Sequence, residues 1–385
     1  MDTTDSGSKN PFHLIQIYLA KQYAKLYPPQ KFIAVIGSIG KTTCIQACSA
    51  VLSHKFKTIS SKPDQDLYSR IPQTLLRLTP KVKKVILEMG IKKKGEMDFY
   101  LSMIRPQVVV VTRISYSDNE FLGDLDSVIE QEGKLIEQLD KSGVAILNYD
   151  DPNSRKLAKI CKGTVVYYGT DPQNCTIWAG NFKIENFRTN FELNLGVERV
   201  KVNLLLLGLH EVYAVLAAAA LGVVNDITLT KIKLALESII PAEHVMQALI
   251  GPNGSIILDD TYNSSPVDLE ESIDTLLQIN ARRRVLVLGE MKNLGQYSER
   301  LHRQIAQKIY KEKIDLIFLG QGNAQIIAEE LKSLGFWEER IESNLQNSQI
   351  VNRLLKNLGK GDAVLIKGAN SLRLDEVVKR IAKKT

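Results

Sequence analysis

Apolar residues along the chain gather into short continuous runs, and stretches of helical spacing lie between them. Phe32-Ile33-Ala34-Val35-Ile36 is one such run and predicts a buried strand. Residues 81–90, 107–112 and 144–148 repeat the pattern, and 56–60 form a shorter run. Helical stretches separate them, notably 44–52 and 126–139. Strands that are apolar on both faces and alternate with helices predict a doubly wound α/β sheet of the P-loop type. From 163 to 207 the text changes to β-like runs at 165–168, 176–178 and 200–207, and helices are predicted at 211–222 and 227–238. A boundary is expected between 241 and 250. Strand-like runs then resume at 255–260, 284–289, 314–319 and 363–368, with helices at 268–278 and 298–311. That series predicts a smaller, Rossmann-like α/β unit. The chain therefore divides into an N-terminal helical extension (1–29), a central unit (30–245) and a C-terminal unit (246–385). Within the extension, 12–27 reads as an amphipathic helix packed on the central unit rather than lying on a membrane surface.

With 385 residues, 44% hydrophobic and 24% charged, the chain can bury large cores. No run is long enough to span a membrane. The net charge of +7 is modest, and the lysines read as scattered, which argues against nucleic acid as a partner. The short runs at 92–94 and Arg282-Arg283-Arg284 are expected as solvated turns. Four cysteines (Cys44, Cys48, Cys161, Cys175) lack metal-ligand spacing and fit a reducing cytoplasm.

Chemistry concentrates after the first strand, at Gly37-Ser38-Ile39-Gly40-Lys41-Thr42-Thr43. A glycine turn between strand and helix turns backbone N–H groups onto an anion at the helix N-terminus. Lys41 adds a charge that reaches a terminal phosphate, and the Thr42 hydroxyl is an expected Mg²⁺ ligand. The loop is the short Gly-x-x-Gly-Lys-Thr form, because Val35 stands where the full Walker pattern has its first glycine. Gly37, Glu88 and Thr112 all fall at carboxyl ends of predicted strands, where such sheets bind ligands.

Further phrases recur in order: Glu88-Met89-Gly90 with Gly95-Glu96; Asp259-Asp260-Thr261-Tyr262-Asn263-Ser264-Ser265-Pro266; Leu288-Gly289-Glu290-Met291-Lys292-Asn293-Leu294-Gly295 with His302; and Ile366-Lys367-Gly368-Ala369-Asn370-Ser371. Together with the loop they resemble the Mur ligases, the ATP-dependent amide-forming enzymes of peptidoglycan synthesis. The likeness is greatest to the branch that adds D-alanyl-D-alanine to UDP-N-acetylmuramoyl-tripeptide. The resemblance implies ATP and Mg²⁺ as cofactors and an acyl-phosphate intermediate attacked by an amine. It implies that the loop, residues Gly37 to Thr43, holds phosphates and that Thr42 and Glu88 hold Mg²⁺. It places Asp259, Asp260 and Asn263 on the sugar and base side of the nucleotide, and Lys41, Glu88, His210 and His244 among the catalytic groups. His302 reads as a core histidine.

The chain also departs from the family pattern. Asp118 stands at the place of a metal-binding histidine, after Thr112-Arg113-Ile114 in place of Thr-Asn-Ile. Glu132 stands where the family carries a lysine carbamylated by CO₂, which makes it a fourth expected metal ligand. His210-Glu211-Val212-Tyr213-Ala214 replaces His-Asn-x-x-Asn near adenine, His244 replaces an arginine facing the γ-phosphate, and Ser265 replaces the second asparagine of Tyr-Asn-x-Asn-Pro. About thirty residues precede the loop strand, so a partner chain supplying the UDP-sugar domain is one expectation. Two alternatives to the active ligase follow: a nucleotide-binding pseudoenzyme or regulatory subunit, and a ligase of the same fold acting on another carboxylate.

Overall fold

A computed structural model describes residues 11–62, 67–91, 93–115 and 125–383. Helix α1 (Pro11–Ala24) leads into strand β1 (Phe32–Ile36), the glycine loop and α2 (Lys41–Ser53). Then follow β2 (Thr58–Ser60), α3 (Leu67–Leu76), β3 (Lys84–Glu88), α4 (Glu96–Met103), β4 (Val108–Val111), α5 (Leu125–Glu137), β5 (Val144–Asn148), α6 (Pro152–Lys156) and β6 (Thr164–Gly169). Three longer strands, β7 (Ile177–Glu185), β8 (Arg188–Leu195) and β9 (Glu198–Leu204), precede α7 (Leu209–Val224) and α8 (Leu229–Glu237). These strands form one sheet in the order β2-β3-β1-β4-β5-β6-β7-β8-β9. It is parallel from β2 to β7 and antiparallel beyond.

Residues of β1 alternate between two apolar layers. Ile33 and Val35 pack with α2, α7 and α8, whereas Phe32, Ala34 and Ile36 pack with α1, α3, α4 and α5. Both faces are covered, so every residue of the strand is apolar and buried. The alanines at 217–220 bring α7 close against α2, whose Cys44 and Cys48 are fully buried on that side. Strand β8 escapes the reading from runs because it alternates. Phe191 and Leu193 point into the core and Asn190 and Glu192 point away, which is period-2 patterning rather than a continuous apolar block.

The second sheet takes β10 (Gln247–Ile250), β11 (Ile256–Asp260), α9 (Pro266–Gln278), β12 (Arg283–Leu288), α10 (Ser298–Lys311), β13 (Leu316–Gly320), α11 (Gln325–Ser333), β14 (Ile341–Leu345), α12 (Asn347–Asn357), β15 (Asp362–Lys367) and α13 (Leu374–Ile381). Its order is β10-β11-β15-β12-β13-β14. Helices α9, α10 and α11 cover one face and α12 and α13 the other. Only Arg282 of the arginine run at 282–284 lies in a solvated turn, whereas Arg283 and Arg284 open β12. Arg282 and Arg283 both bond the fully buried Asp362, and Arg284 donates to the carbonyls of Leu277 and Ile279 at the end of α9. Carbonyls left open at a helix C-terminus draw such a cation. His302 is fully buried and accepts from Met291 N at 3.1 Å. Among the described residues no helix is long and apolar enough to cross a membrane.

Candidate nucleotide and ligase site

The glycine loop sits at the carboxyl end of β1, pinned to the segment after β4. Ser38 N donates to Arg113 O at 2.7 Å, and the Ser38 hydroxyl donates to Ser115 O at 2.9 Å while accepting from Ser115 N at 3.0 Å. Ile39 and Arg113 form an isolated antiparallel bridge. Gly37 has φ +121°, and a Cβ there would lie 2.2 Å from Thr112 Oγ1. Both the backbone angle and the close approach require glycine. Gly40, with φ +76°, opens α2 and faces solvent.

Lys41 folds back over the loop and donates to Gly37 O at 2.7 Å and to Ser38 O at 3.2 Å. Its stem passes Gly90, where a Cβ would meet Lys41 Cε at 3.3 Å. The glycine of the Glu88-Met89-Gly90 phrase therefore makes room for the loop lysine. Thr42 is half-buried, and the buried Thr43 side chain favours the ionised form of the Glu211 carboxyl.

Two expected metal ligands have distinct surroundings. Glu132, on α5 and 2% exposed, accepts from Gly37 N at 3.2 Å through Oε1, and its Oε2 has no hydrogen-bond partner. Burial pushes its pKa up to about 7, against the pull of Lys41 and the Gly37 amide. Glu88 is paired with Arg70 of α3 at 2.5 Å, and its backbone N–H donates to the Ser61 hydroxyl oxygen at 2.9 Å. Arg70 carried no signal in the sequence, because the pairing arises only when α3 crosses the end of β3. Asp118 lies outside the described residues. Among the described residues no three His, Cys, Asp or Glu side chains cluster as a metal site.

The N-terminus of α7 meets the second sheet. Gly208 has φ +103°, and a Cβ there would lie 2.4 Å from Thr275 Oγ1 of α9. Arg113 forms an ion pair with Glu271 of α9. Asp260, at the end of β11, accepts from Lys367 Nζ at 2.5 Å and from the Ser272 hydroxyl at 2.6 Å. Lys367 belongs to the Ile366-to-Ser371 phrase, and this pairing gives it a definite place. Asp259 bonds His244 Nδ1 at 2.7 Å and the Thr261 hydroxyl at 2.8 Å. His244, expected to face the γ-phosphate, is thus engaged by a carboxylate of the second sheet. Asn263 is exposed. The structure brings together the loop, Glu132 and Glu211 on one side and Asp260, Asp268, Glu271 and Lys367 on the other.

Burial, with help from Asp260, Glu271 and Asp268, pushes Glu211 up to about 7. Burial and Asp268 push Glu271 to about 7 as well, against Arg113. His210, whose Nδ1 lacks a partner, is driven down to about 4 by burial, with Lys367 adding to the shift and Asp260 opposing it. A carboxyl whose folded pKa exceeds its unfolded value binds more protons when folded, so stability falls as pH rises from about 4.5 to about 7. His210 has the opposite sign between about 4 and 6.5 and offsets one such group. Net stability is expected to decline from pH 5 to pH 8. Glu211→Gln should shrink that decline by about 1–3 kcal/mol, read from urea unfolding at both pH values. The same decline in the variant would mean that Glu211 ionises as an ordinary carboxyl.

A cavity of about 470 Å³ opens at the carboxyl ends of β12 to β15, lined by Gly289, Gln346, Asn347, Ser371 and Arg380. It lies on the side of α12 and α13, beyond the strand that ends in Lys367.

Residues 35–222 match the Mur ligase middle domain, and residues 246–370 match the Mur ligase glutamate ligase domain. The chain is 27% identical over 356 residues to the UDP-N-acetylmuramoyl-tripeptide–D-alanyl-D-alanine ligase of Escherichia coli, covering 92% of this chain and 77% of that protein. It superposes on MurF from Acinetobacter baumannii with a TM-score of 0.86 at 21% identity, covering 95% of this chain and 80% of that one. The MurF ligase of Thermotoga maritima in complex with ADP gives 0.83 at 19% identity, with 99% and 86% covered. Two matched domains in sequence order, a glycine loop facing the second sheet, and a fold shared along nearly its whole length have one reading: the chain belongs to the Mur ligase family.

Proposed function

We propose that this protein is an ATP-dependent ligase that joins D-alanyl-D-alanine to a UDP-N-acetylmuramoyl-tripeptide in peptidoglycan precursor synthesis. The observation that carries the reading is the glycine loop of the first sheet, with Lys41 and Glu132, set against Asp260 and Lys367 of the second. A substrate carboxylate oxygen attacks the γ-phosphorus of ATP and ADP departs. The dipeptide amine then attacks the acyl carbon, loses a proton and expels phosphate. Such transfers need positioning and charge neutralisation more than covalent help.

In this reading Lys41 and the loop N–H groups of residues 37–43 hold the phosphates. Lys41 leaves the Gly37 and Ser38 carbonyls to reach them. A hard cation fits here, because Glu132 Oε2 is buried and partnerless beside the loop, and oxygen ligands suit Mg²⁺. Thr42, Glu132, Asp118 and, once released from Arg70, Glu88 are the residues that would hold it. The ion would supply charge to stabilise the transferring phosphoryl group. Asp260 and Asn263 face the nucleotide's sugar and base, and His244 and Asp259 order the linker between the sheets. Neutral at physiological pH, His210 offers a hydrogen-bonding ring at the cleft rather than a strong base. The cavity beside Arg380 is a place for the dipeptide, with the guanidinium toward its carboxylate. Substrates of this kind place the reaction in the cytoplasm, and a partner chain bearing a UDP-sugar domain would complete recognition.

The deciding experiment measures ADP release with Mg²⁺, the UDP-muramoyl-tripeptide and D-alanyl-D-alanine, omitting each in turn. ADP formation that requires all of them, together with the amide product by mass spectrometry, is the expected result. Nucleotide binding without turnover under every substrate combination would favour the pseudoenzyme, for which Glu211 at the cleft and the Arg70-held Glu88 are the arguments.

A further inference from the structure

Helix α1 is mostly apolar, and among the described residues only one side of it is covered. Ala20 and Ala24 are buried against the first sheet's outer layer, with Ile17, Tyr23 and Tyr27 packed beside them. Tyr23 OH fixes the helix by donating to Leu78 O at 2.8 Å. The opposite arc carries Phe12, Leu14, Ile15, Tyr18 and Leu19, all at least 50% exposed, and Leu26 beyond the helix is 74% exposed. A helix that is hydrophobic on every side belongs in an interior or against an apolar medium. Lys21 and Lys25 border the exposed arc, and α1 holds no acidic residue.

The helix ends beside a lysine-rich edge of the first sheet. Lys31 stands over the Tyr27 ring at 5.0 Å and bonds Val82 O, and Lys84 donates to Gln30 O at 3.2 Å. Lys55, Lys57, Lys81 and Lys83 are exposed at the same amino ends of β2 and β3. Burial and then the charge of Lys83 hold Lys31 below its usual range, and burial and then Lys55 do the same to Lys84, so these cations crowd one another. The lysines looked scattered in the sequence because the signal lies in what is missing. Residues 6–87 contain thirteen lysines and arginines against two acids, Asp64 and Asp66. Among the described residues, the ion pair made by these edge lysines is that of Lys55 with Asp226, at 3.5 Å.

We propose that α1 and this lysine edge dock together on an anionic lipid surface. The apolar arc enters the headgroup region, Lys21 and Lys25 reach from its borders to the phosphates, and the edge lysines add long-range attraction. The charge selects this occupant. A second copy seated on α1 by two-fold symmetry would set two acid-poor lysine edges against each other. The edge lies at the amino ends of the strands, opposite the glycine loop, so docking leaves the nucleotide cleft open to solvent.

The test is co-sedimentation of the full chain with vesicles of phosphatidylcholine, with and without phosphatidylglycerol, at low and high salt. Binding to the anionic vesicles that weakens with salt is expected. Ile15→Ser with Leu19→Ser should lower the partition coefficient by roughly tenfold or more. Lys81→Glu with Lys83→Glu should remove the preference for anionic vesicles. Both pairs are exposed and outside the cleft, so thermal unfolding and ADP release in solution should stay as in the wild type. No sedimentation above a vesicle-free control at low salt would overturn the proposal, as would equal binding to neutral and anionic vesicles. So would a dimer in light scattering that the Ile15 and Leu19 pair dissolves without any vesicle binding.

Discussion

Replacing Lys41 by alanine is expected to lower ATP turnover by at least about a hundredfold while leaving the fold intact. The lysine is the loop's one side-chain cation, and it already lies over the turn where phosphates would bind. Its present partners are two carbonyls that water can serve equally well. Ser38, bonded to Ser115 in both directions, holds the loop without it. Thermal unfolding should therefore move by less than about 1 kcal/mol. Lys41 also pulls the Glu132 pKa downward, so the variant should hold that carboxyl protonated to higher pH. Near-normal turnover in Lys41→Ala would remove the loop from the ATP site.

Glu132→Gln should act in opposite directions on stability and on activity. Glutamine keeps the shape and the acceptor for Gly37 N while removing a buried group that ionises near pH 7. Above that pH the wild type carries the burial penalty of a charge, so the variant should be more stable at pH 8 by about 1–3 kcal/mol and equal to the wild type at pH 5. The same change removes an anionic oxygen beside the loop, so the Mg²⁺ concentration for half-maximal ADP release should rise by roughly 10–100-fold. Because a glutamate needs no CO₂ to become anionic, wild-type activity should be indifferent to bicarbonate. A variant that gains stability with unaltered Mg²⁺ dependence would leave Glu132 as a prop for Gly37 and nothing more.

Which parts of this site could be read from sequence follows from how each part is built. The strand, glycine loop and α2 are contiguous, and contiguity is what patterning reports, so Gly37 to Thr43 stood out. The central strands were legible because covering both faces of a parallel sheet forces an unbroken apolar run, as in Val108–Val111. Strand β8 signals itself by alternation instead, and β10 and β14 are partly exposed edge strands of the second sheet with weak signals. The pairings Glu88–Arg70, Asp260–Lys367 and Arg113–Glu271 join elements far apart in the chain. No spacing rule links their positions. Arg113 looked like a substitution in a family phrase, yet in the fold it ties the two sheets together. The arginines at 282–284 looked solvated because Asp362, their partner, lies about eighty residues away.

The lacing of the loop to residues 113–115 also bears on where the flexibility of turnover would reside. Ser38 and Ile39 are laced to residues 113–115, and α2 is wedged between the sheet and the alanine face of α7. A nucleotide arriving there finds its cradle already ordered, so little conformational entropy is lost on binding and affinity follows charge and contact. In the proposed reaction, the freedom that a cycle needs would then come from the second sheet swinging as a body on the segment between α8 and β10. A swing of that kind would break and remake the Arg113–Glu271 pair, so that contact would act as a latch whose release sets the pace of product escape.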